Sequence, residues 1–234
     1  LLVFAGTRRN GDMALTVWGG GYLLAALGAI LIAVRGRVPE VWTLDVANAC
    51  LIAAYGFFLA AACRFAGRTS SPWVYVAGAA IWLASCRIEA FRASPQARII
   101  LYSLLVCGYL GMTCLVLARL RERLPSKTPL IAILAIHALF FFARIPVALL
   151  VRPPSGTNLV VTPWFVIVVI ESLVHLVATS ILLVTMSKER AENGVQRLAS
   201  TDPLTGLHNR RSFLERGAPL LARGLRDRKP VCVL

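Results

Sequence analysis

Residues 164–186 read WFVIVVIESLVHLVATSILLVTM, 23 positions with one formal charge, Glu171, and they run directly into the polar string SKERAENGVQRLAS at 187–200. A helix rises 1.5 Å per residue, so about 20 apolar residues cross a hydrocarbon core of ~30 Å. Backbone groups in lipid have no water to bond, and the helix is the form in which a single segment satisfies them all. The stretch therefore predicts a membrane-spanning helix that continues into a charged segment outside the bilayer.

Upstream, the same pattern recurs at about 13–34, 43–63, 73–86, 99–117 and 129–151, with short arginine-bearing loops between the blocks. Block 73–86 is the short one. Extending it to about Phe91 gives it a span's length but places Arg87 and Glu89 near the interface. A stub, LLVFA at 1–5, precedes Thr7-Arg8-Arg9. A signal peptide carries its charge ahead of the apolar run, so the stub reads as the tail of a further span. The expected fold class is an all-α membrane bundle of six complete transmembrane helices plus the end of a seventh. It is followed by the truncated start of an α/β domain, so the chain reads as a piece at both ends. Composition points the same way: 58% of residues are hydrophobic and 15% charged, against about 25% charged in soluble domains. Mean hydropathy is +0.72.

The net charge of +14 comes from basic residues scattered through loops, not from one stripe, which argues against nucleic acid as a partner. Lysine and arginine in short loops set orientation. Alternate loops hold eight and six of them, and the ten after Met186 decide the direction: C-terminus cytoplasmic. The six cysteines form no CxxC pair and fall mostly inside apolar blocks, where cysteine acts as a small hydrophobe. Trp42, Trp73 and Trp164 stand at block ends, the headgroup level that amphipathic rings prefer. Gly21, Ala25, Gly28 and Ala29 give the first full block a face on which another helix can approach closely.

Ionisable groups at membrane depth are costly and are candidate functional residues for that reason. Four stand out: His137 and Arg144 in block 129–151, Glu171 and His175 in block 164–186. Each pair shares one helical face. Arg144 lies seven residues before Val151 and Glu171 seven after Trp164, so in an antiparallel hairpin the two charges come level, about 10 Å below the outer interface. Three readings stay open. One is an Arg144–Glu171 ion pair that fixes register; another is a ligand- or proton-sensing pocket that includes both histidines; the third is metal or haem ligation by His137 and His175. Asp45 and Asn48 are available to any of them, and Pro146 is placed to kink its helix.

After Met186 the composition changes at once. Residues 187–200 read as a juxtamembrane connecting helix with an incomplete apolar seam at Met186, Ala191, Val195 and Leu198, either solvated or paired with a second copy. Then comes Asp202-Pro203-Leu204-Thr205-Gly206-Leu207-His208-Asn209-Arg210-Arg211-Ser212-Phe213. Asp202-Pro203 opens a turn, Gly206 supplies backbone freedom, and Asn209 suits the cap of a helix carrying Phe213, Leu214, Leu220, Leu221 and Leu225. Pro230 stops that helix, and 231–234 reads as the start of a buried strand.

The string D-P-L-T-G-L-x-N-R-R-x-F after a transmembrane or coiled segment resembles the opening motif of GGDEF domains. These are bacterial enzymes that condense two GTP molecules into cyclic di-GMP. The resemblance covers about residues 198–234 and gives a division into a sensor bundle (1–186), a connecting helix (187–200) and the start of a GGDEF domain (201–234). It implies structural roles for Asp202, Leu204, Thr205, Gly206, Leu207, Asn209, Arg210, Arg211 and Phe213, which tie the opening turn to the domain body. It also implies that the metal-binding aspartate and the GGDEF loop lie beyond Leu234. The chain by itself is then expected to have no cyclase activity, no catalytic residue and no bound cofactor. The full-length enzyme would use two Mg²⁺ or Mn²⁺ ions in a phosphoryl transfer between GTP molecules held on two facing subunits, hence a homodimer in the bacterial inner membrane. Two other readings remain: a degenerate GGDEF domain acting as an effector or scaffold, and a transporter with an incidental tail.

Overall fold

The computed structural model describes residues 2–150, 163–200, 205, 207 and 209–230. Among them the order is α1 (Leu2–Ala33), a π-helical turn (Val41–Val46) leading into α2 (Ala47–Phe65), α3 (Trp73–Ser85), α4 (Glu89–Ala93), α5 (Pro95–Ala118), α6 (Lys127–Leu150), α7 (Pro163–Ser200) and α8 (Arg210–Arg226), with no strand. The expected strand at 231–234 lies outside the described residues. The chain divides into two compact units, Leu1–Ser187 and Lys188–Leu234.

Among the described residues, five helical stretches are long and apolar enough to cross a membrane: Met13–Ala33, Val41–Phe65, Pro95–Ala118, Lys127–Leu150 and Val166–Gln196. Their outward faces carry Leu23, Ile136, Leu150 and Val174, all exposed, as lipid-facing side chains are. The expected six complete spans plus the end of a seventh are therefore five among the described residues, and expectation and structure differ at two places. The stub is no separate span, because α1 runs unbroken from Leu2 to Ala33. Nothing between them is a proline, and arginine is a good helix former, so the helix propagates through Arg8 and Arg9. The block at 73–86 does not extend to Phe91 either: α3 has 13 residues, roughly 20 Å, and Ile88 is extended (φ −88°, ψ 115°) before α4 begins. Buried Trp82 and Cys86 cluster there with Leu44 and Ile52, and Arg92 reaches Asp45, so tertiary contacts end the helix where local propensity would continue it.

α2 is the central helix and packs on α1, α3 and α5. Small residues permit this. A Cβ on Gly28 would lie 2.8 Å from the Ala47 carbonyl, and one on Gly56 2.5 Å from the Val74 carbonyl. The small-residue face of α1 is thus an α1–α2 seam, as Gly21, against Phe58 and the Ala54 carbonyl, also indicates. The larger core cluster draws Trp18 of α1, Phe65 of α2, Leu110 of α5, Leu134 of α6 and Met186 of α7 together. Yet α7 makes no extensive backbone-level approach to any other helix among the described residues. Its side chains hold it to the bundle.

In the second unit α8 opens as the sequence predicts. The Asn209 Oδ1 accepts the backbone N–H of Ser212 at 2.9 Å, and the Leu207 N–H reaches the Thr205 hydroxyl at 3.4 Å. Replacing such a cap by alanine costs about 1 kcal/mol. Asn209→Ala is expected to speed hydrogen exchange in the first turn of α8 about fivefold. Unchanged exchange at Ser212 and Phe213 would show that the cap contributes nothing. Asp202, Leu204, Gly206 and His208 lie outside the described residues, as does the side chain of Arg211.

Candidate functional site

Helical spacing puts His137, Phe141 and Arg144 along one side of α6, and Glu171, His175 and Thr179 along one side of α7. His137 is almost fully buried, with 1% of its side chain exposed, and both its ring nitrogens are engaged. Nδ1 lies 2.7 Å from the Glu171 Oε1 and Nε2 lies 2.8 Å from the hydroxyl of Tyr55 on α2. With Glu171 as a carboxylate, Nδ1–H donates to it, and the bare Nε2 then accepts from the Tyr55 O–H. The His175 ring lies flat on that of His137, with centroids 3.7 Å apart and planes 6° apart. Phe141 closes edge-on against His137 at 4.9 Å.

Three polar atoms in this neighbourhood are buried without a hydrogen-bond partner: Glu171 Oε2, His175 Nδ1 and Arg144 Nε. One turn toward the α7 C-terminus, the Thr179 hydroxyl donates to the His175 carbonyl at 2.7 Å, and so accepts from the Tyr22 O–H of α1 at 3.2 Å. A cavity of about 20 Å³ lined by Trp18, Tyr22, Tyr55, His175 and Thr179 adjoins this seam. That is room for one water-sized molecule and far below the roughly 300 Å³ that a small-molecule site needs.

The expected Arg144–Glu171 pair is not formed. Glu171 pairs with His137, while the Arg144 guanidinium stacks 5.0 Å over the Phe141 ring. The stacking of His137 on His175 sets the α6–α7 register, which leaves Arg144 about one turn nearer the hairpin end than Glu171. Counting from the two block ends assumed a symmetric loop, and nothing in the sequence enforces one. Asp45 and Asn48 do not join this site: Asp45 Oδ2 is bound at 2.9 Å by Arg92, and the Asn48 side-chain amide donates to the Leu44 carbonyl. The hydrogen bond to Asp45 raises the Arg92 pKa above its ordinary value. Tyr55 and Thr179 were missed in sequence. Tyr55 carried a usable signal, because a phenol in the middle of an apolar block needs a partner for its hydroxyl.

The arrangement is poorly suited to a metal. Parallel stacked rings do not converge their nitrogens on one point, and no group of three or more potential ligands occurs among the described residues. What it can do is hold charge. Two cations 3.7 Å apart repel by about 4–5 kcal/mol even at an effective dielectric near 20, so the ring pair accommodates one positive charge and not two. Comparison with protein-family models, curated proteins and solved structures finds no match to this chain.

Proposed function

We propose that this chain is the sensory and connecting part of a bacterial inner-membrane diguanylate cyclase, with its C-terminal side in the cytoplasm. The observation that carries the reading is the string from Asp202 to Phe213, in which the GGDEF-like pattern follows a spanning block and its connecting segment. Three structural facts support it. α7 is helical from Pro163 to Ser200, the form a connecting rod takes, and Asn209, within the string, caps α8. α8 also leaves Phe213, Leu214, Leu220, Leu221 and Leu225 exposed, an apolar face of the kind that a sheet covers in an α/β domain.

In this reading the bundle receives a signal and α7 passes it on. Two copies then bring their GGDEF domains face to face, each holding one GTP with Mg²⁺ or Mn²⁺. The metals would activate the ribose 3′-hydroxyl of one nucleotide and offset charge on the triphosphate of the other. The full-length protein, purified in lipid and given GTP with either metal, is expected to form cyclic di-GMP, and the 234-residue chain none. A full-length protein that binds cyclic di-GMP without making it would replace the enzyme reading with the effector one. A reporter fused after Ser200 that is active only outside the cytoplasm would overturn both, because GTP would never reach the domain.

A further inference from the structure

We infer that the stacked pair of His137 and His175 is a binding site for one proton, with Glu171 as its counter-ion, and that the proton changes how α7 is held against the bundle. In the unprotonated state each His137 nitrogen is already used, Nδ1–H by Glu171 and Nε2 by Tyr55. A proton arriving on Nε2 needs only a turn of the phenol, whose oxygen then accepts in place of donating. The imidazolium so formed lies against the Glu171 carboxylate on one edge and against the neutral face of His175 on the other. A second proton would set two cations face to face at 3.7 Å, which fixes the capacity at one.

The titratable and charged groups around the pair come from every neighbouring helix: Tyr22 of α1 by way of Thr179, Tyr55 of α2, Tyr102 and Cys107 of α5, Arg144 of α6, and Glu171 of α7 itself. Glu171 is the one acid in that set and Arg144 a standing cation, so the carboxylate is the only group there that can offset an added charge. The cavity beside His175 has room for a water-sized molecule and nothing larger, which favours a proton over an organic ligand. The mechanical consequence follows from packing. Between Glu171 and Thr179, α7 is held to the other helices by side chains, these polar links among them with Leu176, and not by close backbone approach. Changing the charge on the pair therefore acts on the links that hold α7.

The test is ¹⁵N-histidine NMR of the whole chain in lipid nanodiscs, titrated over roughly pH 8 to 5, the range in which histidine charge changes. His137 and His175 are expected to move together in a single step that totals one proton, and backbone hydrogen exchange along residues 166–186 is expected to change across the same step. Glu171→Gln should shift the step to lower pH by a unit or more, a loss of at least tenfold in proton affinity. Separate steps for the two rings, no titration of either, exchange in α7 that ignores the step, or a Glu171→Gln titration identical to the parent would each overturn the inference. If Glu171→Gln does not assemble, the parent titration and exchange data decide alone. No nucleotide enters the experiment, so its outcome is independent of the cyclase reading.

Discussion

Arg92→Ala is expected to destabilise the bundle by about 3 kcal/mol or more, because it breaks an ion pair whose acid is buried. The Asp45 side chain is 1% exposed, and Arg92, 29% exposed, is its ion-pair partner at 2.9 Å. The second oxygen, Oδ1, is already buried without a hydrogen-bond partner, so removing the guanidinium strands the carboxylate in an apolar setting. Glu40, 3.8 Å from Arg92 and mostly exposed, contributes little to the balance. Asp45 also lies in the π-helical turn that opens α2, and Arg92 in the short α4, so the pair pins the end of the α3–α4 segment to the start of the central helix. Fluorescence-detected size exclusion after heating would measure the loss. Adding Asp45→Asn in the Arg92→Ala background should recover part of it by removing the stranded charge. An Arg92→Ala protein that survives heating as well as the parent would show that the pair is dispensable.

Gly56→Ala is also expected to destabilise the bundle, by about 1–3 kcal/mol. An alanine in place of glycine within a helix normally stabilises by roughly 0.5–1 kcal/mol. Here the sign reverses, because the new Cβ would lie 2.5 Å from the Val74 carbonyl oxygen and 2.9 Å from that of Tyr75, and both obstacles are backbone. Relief requires α2 and α3 to move apart along the contact that seats Gly78 against Ile52 and Tyr109. Overpacking of this sort costs about 1–3 kcal/mol. A Cβ on Gly108 of α5 would meet nothing within 4 Å, so Gly108→Ala is the matched control and is expected to be neutral or slightly stabilising. Equal thermal stability of Gly56→Ala and Gly108→Ala would mean that the close α2–α3 approach does not carry the packing ascribed to it.

The apolar helices were legible in the amino-acid order, because crossing lipid demands a length and a composition that can be read residue by residue. That order also determined the start of α8 at Asn209, since a cap is a local hydrogen bond. It marked His137, Arg144, Glu171 and His175 as a candidate cluster, because charge inside an apolar block stands out without any structure. Which of them pair was decided by the tertiary structure alone. Register between α6 and α7 depends on how two rings stack, not on distance from the block ends, and it matched Glu171 to His137 and left Arg144 over Phe141. Tyr55 entered from α2, far off in sequence, and Asp45 was drawn away by Arg92. Helix ends followed the same division: α1 ran through its arginines where no local breaker stood, while α3 stopped at Ser85 because Trp82, Cys86 and Arg92 had partners elsewhere. A period or a cap is fixed by neighbours along the chain. A partner is fixed by which surfaces meet, and that information resides in packing.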